Sequence, residues 1–324
     1  MPSAWRLPWL SRPDDMQDMS GNLQIGTTGL ENIHYTGPLT SGLIGHLTMA
    51  ELFMVLIPVF VVGASFGSFL NVCIARWPLD LSVVSPRSRC PRCERPIKSY
   101  ENIPVLSWLI LRGKCAGCAL PISLQYPLVE VLVGLGWVVA FCFLGFTFEA
   151  VRVAAFATLL FGIGVTDAKH YLIPDGFTVS GLIMVMLFTI VNVFLGEPSH
   201  FVTPWPAILG ACVGAGAITI IGWLAEVIIK KEAMGFGDTT LMAVVGAAVG
   251  AERSLLTIVM GAFVGAVTFL LIVGPIVKIR TSKRGEEFAF PDVPFGVFLA
   301  PAALLTLLWG DALIRWYIER AFSA

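Results

Sequence analysis

Residues 52–75 read LFMVLIPVFVVGASFGSFLNVCIA, 24 residues without a charge. As a helix rising about 1.5 Å per residue, this stretch reaches across the roughly 30 Å hydrocarbon core of a bilayer. Similar uncharged runs cover 131–148, 176–196, 198–225, 254–277 and 293–310. Two shorter runs, 153–166 and 239–251, lie beside Asp167 and Asp238. The composition agrees: 56% of the residues are hydrophobic and 13% charged, with a mean hydropathy of +0.81. Soluble domains carry about 25% charged residues, so a water-exposed surface cannot be covered and a soluble fold is excluded. The chain is expected to be an all-α polytopic membrane protein. About eight transmembrane helices are expected, at roughly 49–74, 125–146, 150–167, 176–196, 205–229, 239–251, 253–278 and 293–314.

Charge sets the orientation. Of the 21 Lys and Arg residues, fifteen fall in 75–124, 167–175, 230–238 and 278–292. The other six lie in the N-terminal 48 residues, the alternate loops and the C-terminal tail. Basic residues concentrate in cytoplasmic loops. Both termini are therefore expected outside, with Asp167 and Asp238 together on the cytoplasmic side of a multi-pass inner membrane protein. Residues 1–48 are polar and lack the apolar core of a signal peptide. They are expected to be a disordered extension, or the product of a start site placed too early. The expected division is this extension, a first span over 49–74, a cytoplasmic loop domain over 75–124, and a seven-helix membrane core over 125–324. No internal repeat or low-complexity tract is evident. Glycine pairs four apart (Gly63/Gly67, Gly210/Gly214, Gly246/Gly250, Gly261/Gly265) predict close helix packing, because small residues let backbones approach in lipid.

Within the loop stand Cys90-Pro-Arg-Cys93 and, after 21 intervening residues, Cys115-Ala-Gly-Cys118. Two such pairs can complete a tetrahedral four-thiolate site of the structural zinc type. Disulfides are the weaker alternative in a reducing cytoplasm. A small zinc-ribbon-like domain is expected, its metal holding the loop together because four protein ligands leave no position for water. Cys73, Cys142 and Cys212 lie in spans and read as packing residues.

Asp167 ends the third span and Asp238 opens the sixth, behind Gly235-Phe236-Gly237. An ionisable group at a membrane edge is costly and points to function. Two carboxylates held close cannot both ionise, so they share one proton. The ionised member can take a proton from water while the neutral one donates to a carbonyl oxygen, which is the machinery of an aspartic peptidase. Gly235 and Gly237 suit that use by letting a substrate main chain come near. The competing reading makes each acid a helix cap. Asp175 reads as the cap of the fourth span, Glu130 and Asp311 as partnered or snorkelling acids, and Glu226 as an ion-pair partner of Lys230. His170 carries no assigned role.

The ordered blocks then resemble the type IV prepilin peptidases (leader peptidases), GxGD-type membrane aspartic proteases. These blocks are GSFLNVCIARWP (67–78), the stretch 88–130 from SRCPRC to YPLVE, TDAKHYLIPD (166–175), KKEAMGFGD (230–238) and VPFGVFLAPA (293–302). The resemblance covers nearly everything from about residue 50 onward. It implies that Asp167 and Asp238 are the catalytic pair. The implied substrates are type IV prepilins and type II secretion pseudopilins, cut on the cytoplasmic side after a glycine. The complete cysteine loop resembles that of bifunctional members, implying that the new N-terminus is methylated with S-adenosylmethionine. No glycine-rich nucleotide cradle is visible, so no donor-binding residue is assigned. Membrane lipid is the other expected partner, and nucleic acid is not expected. Two features depart from the family pattern: the 48-residue extension, and Thr166 where an apolar residue usually precedes the first aspartate. The alternatives left open are a zinc-bearing membrane scaffold and a proton-relay or transport protein, with the aspartates as caps.

Overall fold

The computed structural model describes residues 49–196, 199–230, 234–284 and 293–322. The N-terminal extension lies outside them. The helices are α1 (Met49–Arg76), α2 (Leu106–Ile110), α3 (Gln125–Leu144), α4 (Phe148–His170), α5 (Asp175–Leu195), α6 (Pro204–Ile229), α7 (Phe236–Val249), α8 (Ala251–Thr268), α9 (Gly274–Arg284) and α10 (Gly296–Phe322). A π-helical turn, Phe269–Val273, joins α8 to α9. Among the described residues, seven helical segments are long and apolar enough to cross a membrane. The eighth apolar helix, α7, has only 14 residues, or about 21 Å of rise.

The shortness of α7 has a physical reason. Leu241, Met242 and every residue from Val244 to Val249 are buried, so protein rather than lipid surrounds this helix. It packs against α5, α6, α8 and α10, and a helix enclosed in this way need not match the bilayer thickness. It ends at Gly250, whose φ of +86° turns the chain directly into α8. Elsewhere the bundle turns apolar side chains outward, among them Phe53, Ile57, Phe194 and Phe263, as a lipid-facing surface requires. Cys212 is also exposed, so of the three span cysteines only Cys73, at 1% exposure, sits in the core.

The glycine pairs mark helix contacts. A Cβ on Gly210 of α6 would collide with the Gly246 carbonyl of α7, and one on Gly246 with the Gly210 carbonyl. Without a hydrophobic drive for helix association in lipid, this backbone approach is how α6 and α7 gain dispersion contact. Gly67 similarly faces the backbone of Glu130 across the α1–α3 contact, and Gly261 faces Leu299 between α8 and α10.

Two span-end acids, Asp175 and Glu226, differ from their sequence reading. Asp175 is the first residue of α5, behind Pro174 at the N-cap, and no side-chain cap bond forms there. Lys230 ends α6 in a left-handed conformation, its N–H donating to the Glu226 carbonyl, and no Glu226–Lys230 ion pair occurs among the described residues. Asp311 pairs with Arg253 at 3.5 Å. At the opposite end of α4 from Asp167, Glu149 meets Arg152 at 2.7 Å and accepts from Ser199 Oγ and the His200 N–H. Arg152 is fully buried and donates to Asn192 Oδ1, so this polar cluster ties α4 to α5 and to the loop before α6.

Replacing Gly246 with Leu should force α6 and α7 apart. Overpacking a close contact costs about 1–3 kcal/mol or more, so a clear drop in the thermal midpoint of the detergent-purified protein is expected. An unchanged midpoint would contradict this contact.

Candidate active site and metal centre

Asp167 lies in the last turn of α4 and is 5% exposed. Its Oδ2 accepts the Val297 N–H of α10 at 3.2 Å. A Cβ on Gly296 would stand 2.9 Å from that oxygen, so only glycine leaves the carboxylate room against the start of α10. The positive end of the α10 dipole therefore points at this acid. Thr166 is fully buried, and its hydroxyl donates to the Gly162 carbonyl at 2.8 Å. That i−4 bond satisfies a hydroxyl in an otherwise apolar place and explains how threonine stands there.

Asp238 lies in the first turn of α7 and is half-buried. It is not the cap. Gly235 holds the N-cap position, its carbonyl accepting the Asp238 N–H at 3.1 Å, while the Asp238 carboxylate is within reach of the Gly235 N–H. Asp167 and Asp238 are near enough for the charge on one to act on the other. The ends of α4, α7 and α10 thus converge on two carboxylates.

Ile173, in the turn between α4 and α5, is the wedge between these helix ends. A Cβ on Gly237 would meet Ile173 Cβ at 2.9 Å, and one on Gly296 would meet Ile173 Cδ1 at 3.0 Å. Gly237 therefore makes room for a side chain of the protein itself. Gly235 differs, since among the described residues nothing lies within 4 Å of where its Cβ would stand. Phe236 is 77% exposed beside it. His170, in the last turn of α4, is exposed at the same edge. The sequence reading missed Ile173, Gly296 and Val297. The first lies inside the TDAKHYLIPD block and the others in VPFGVFLAPA, but nothing in either stretch says that it touches an aspartate.

The four cysteines come together. Cys90 Sγ and Cys118 Sγ are 3.6 Å apart, Cys93 Sγ and Cys115 Sγ 4.0 Å, and all four sulfurs lie within 4.8 Å of one another. A tetrahedral ion with metal–sulfur bonds of about 2.3 Å places its sulfurs about 3.8 Å apart, so the cluster fits a metal ion. Each pair sits in the same kind of turn. Cys90 N–H donates to the Arg95 carbonyl and Glu94 N–H to the Cys90 carbonyl, and Cys115, Leu120 and Ala119 repeat the pattern. Glu94 and Ala119 both take positive φ, 55° and 56°. This structural repeat is faint in sequence, where only the cysteines and a following Pro-Ile (Pro96-Ile97 and Pro121-Ile122) recur. Amide donors from Cys93 and Arg92 push the Cys90 thiol down to about 6. Those of Cys118 and Gly117 likewise lower Cys115. Thiolates are what a metal needs.

The cysteine domain is joined to the membrane bundle. Arg76, at the end of α1, donates to the Ser82 and Pro86 carbonyls. Trp77 packs edge-on against Phe177 of α5 at 4.4 Å, and the Val105 N–H of the loop donates to Glu130 Oε2 of α3 at 2.7 Å, while within the bundle Lys169 of α4 donates to Gln125 Oε1 at the start of α3. A cavity of about 510 Å³ lies between α1, α3 and the cysteine turns.

Comparison with known proteins agrees with this architecture. Residues 61–144 match the family described as Bacterial Peptidase A24 N-terminal domain, and residues 154–270 match Type IV leader peptidase family. A Myxococcus xanthus protein named Prepilin leader peptidase/N-methyltransferase is 37% identical over 251 residues, covering 77% of this chain and 70% of its own. Its namesake from Stutzerimonas stutzeri is 36% identical over 285 residues, 81% of this chain and 93% of its own. The one from Pseudomonas aeruginosa is 34% identical over 283 residues, covering 80% and 92%. No solved structure matches. Helical bundle, cysteine domain and sequence relationship together place the chain in the type IV leader peptidase family of membrane enzymes.

Proposed function

We propose that this chain removes the leader peptide of type IV prepilins and type II secretion pseudopilins and then methylates the new N-terminus. The observation that carries the reading is the convergence of Asp167 and Asp238 at one membrane edge, in a family whose named relatives process prepilins. With one proton between them, one carboxylate accepts a proton from water as its oxygen attacks the scissile carbonyl. The other gives its proton to the carbonyl oxygen, and in the collapse of the tetrahedral adduct the first passes the proton it took to the leaving nitrogen as the C–N bond breaks, while the second takes a proton back from a hydroxyl of the adduct. Cleavage follows a glycine at the cytoplasmic face of a bacterial inner membrane, with both termini of the enzyme outside. Open space at Gly235 supports approach of an extended substrate backbone there.

Methyl transfer needs a donor with an electrophilic methyl, and S-adenosylmethionine supplies one on its sulfonium. The new amine displaces the sulfide: an N–C bond forms, the C–S bond breaks, and the nitrogen loses a proton. Cys90, Cys93, Cys115 and Cys118 hold zinc, which fits four thiolates with no site left for water. The ion braces the loop and takes no part in either reaction.

Changing Asp167 or Asp238 singly to Asn should lower leader cleavage by about 10²–10⁴-fold or more, because one carboxyl cannot serve as both acid and base. Co-expression with a pilin precursor reads this directly, and persisting cleavage in a variant that still inserts would remove the peptidase reading. Replacing Cys90 and Cys93 with Ser should release the metal and impair methylation more than cleavage. Mass spectrometry of the pilin N-terminus measures both at once, and equal loss would make the loop a general folding element. Zinc is expected at one ion per chain at neutral pH. Since metal-bound thiols must be deprotonated, it should be retained at neutral and higher pH and lost as acid protonates its ligands. Retention in strong acid would contradict thiolate ligation.

A further inference from the structure

The stretch NIPVLSWLIL, residues 102–111, carries no charge between Glu101 and Arg112. An apolar run of about ten residues is too short to span a bilayer and belongs either in a protein core or at a membrane interface. Exposure excludes the core. Ile103 is 45% exposed, Leu106 51%, Leu109 59% and Ile110 70%. The other side of α2 turns inward: Ser107 is buried, and the Trp108 Nε1–H donates to the Ile122 carbonyl at 3.3 Å. Leu106, Leu109 and Ile110 have the three- and four-residue spacing of one helix face, so this short helix is amphipathic with its apolar face outward.

Glu130 fixes how deep that helix lies. Its Oε2 accepts the Val105 N–H at the head of α2 at 2.7 Å, and the Ser68 hydroxyl of α1 reaches the same carboxylate. At 1.5 Å per residue, Ser68 stands about 12 Å before α1 ends at Arg76, and Glu130 about 8 Å after α3 starts at Gln125. Ser68 is inside the uncharged run 52–75, and Glu130 immediately precedes the run 131–148. The head of α2 is therefore level with the spans and not beyond their ends. An interfacial amphipathic helix buries its apolar face about 5–10 Å into the headgroup and acyl boundary, which is the depth found here.

Backbone and charge agree with that place. Polar backbone next to lipid must be satisfied from within. Ser107 N–H and its hydroxyl both donate to the Ile103 carbonyl, Leu109 N–H to Val105, Leu111 N–H to Ser107 and Gly113 N–H to Trp108. Exposed Arg112 and Lys114 follow the apolar run, and Lys98 stands over the ring of exposed Tyr100 ahead of it. Residues 75–124 hold eight Lys and Arg against three Asp and Glu. Basic residues and tyrosine at the rim of an apolar face suit an anionic headgroup layer.

We propose that Ile103, Leu106, Leu109 and Ile110 insert into the lipid leaflet on the Asp167–Asp238 side, with Tyr100, Arg112 and Lys114 at the headgroups. The four-cysteine domain is then a membrane-dipping domain, anchored by lipid as well as by α1 and α3. Glu130 and Ser68 hold the head of α2 at that depth.

The test uses the full, metal-loaded chain in nanodiscs of phosphatidylethanolamine and phosphatidylglycerol. A ketone-bearing amino acid placed at Ile110 carries a spin label, and one at Arg92, on an exposed cysteine turn, is the aqueous control. Bound metal per chain reports that the domain is intact in each. The ratio of oxygen to nickel-chelate accessibility should be severalfold higher at Ile110 than at Arg92. A photo-crosslinking amino acid at Leu109, in cells that also express a pilin precursor, should capture lipid. Nickel-chelate access at Ile110 equal to that at Arg92 would put this face in water and overturn the proposal. Exclusion of both reagents, or crosslinking to a second copy or to the precursor, would mean that protein covers it and would overturn it equally.

Discussion

Two carboxylates meeting where three helices end is the constraint that organises this protein. An acid at a membrane edge is costly unless something holds it, and Asp167 is held by the first turn of α10. To bring these groups together, the ends of α4, α7 and α10 must approach more closely than side chains usually permit. Gly296 leaves room for the Asp167 carboxylate, Gly237 leaves room for Ile173, and Ile173 touches both glycines. The buried, half-length α7 follows from the same need. It holds Asp238, half-buried, at the open end of a helix that α5, α6, α8 and α10 surround.

The loop domain solves a different problem. A segment of some 50 residues with few buried apolar side chains cannot order itself by hydrophobic burial alone. Two repeated cysteine turns, drawn together by sulfur spacing that suits one ion, supply a substitute core. Its attachment to the bundle runs through Arg76, Trp77 and Glu130, so the loop is seated on α1, α3 and α5. On the proposed reading, this seating also sets the apolar face of α2 at the depth of the leaflet, so that protein and lipid together fix the domain.

How much of this was legible in the sequence depended on how local the cause was. Uncharged runs announce spans because the bilayer's demand is local, and seven of the expected helices have full spanning length. The eighth, 239–251 in sequence, is α7 with its start at Phe236, since its cap lies in the polar GFGD stretch. The cysteine pairs were legible because a metal needs four donors whatever surrounds them. Contacts across long separations were not: Val297 stands 130 residues from the aspartate that its amide holds. Arg152 was counted among loop charges, yet it lies fully buried against Glu149. Only the i, i+3 spacing in FEAVR hinted at that pair. Asp175 has good cap chemistry but follows Pro174, which already occupies the cap position.

The central claim is that one proton is held between two acids and that both of its states are needed. The pH dependence of prepilin cleavage by the reconstituted enzyme tests this most directly. A shared proton requires a bell-shaped profile, with activity lost when both carboxyls are protonated and lost again when neither is. A rate that climbs to a plateau at high pH, or does not vary with pH, would mean that a single carboxylate suffices and would contradict the account.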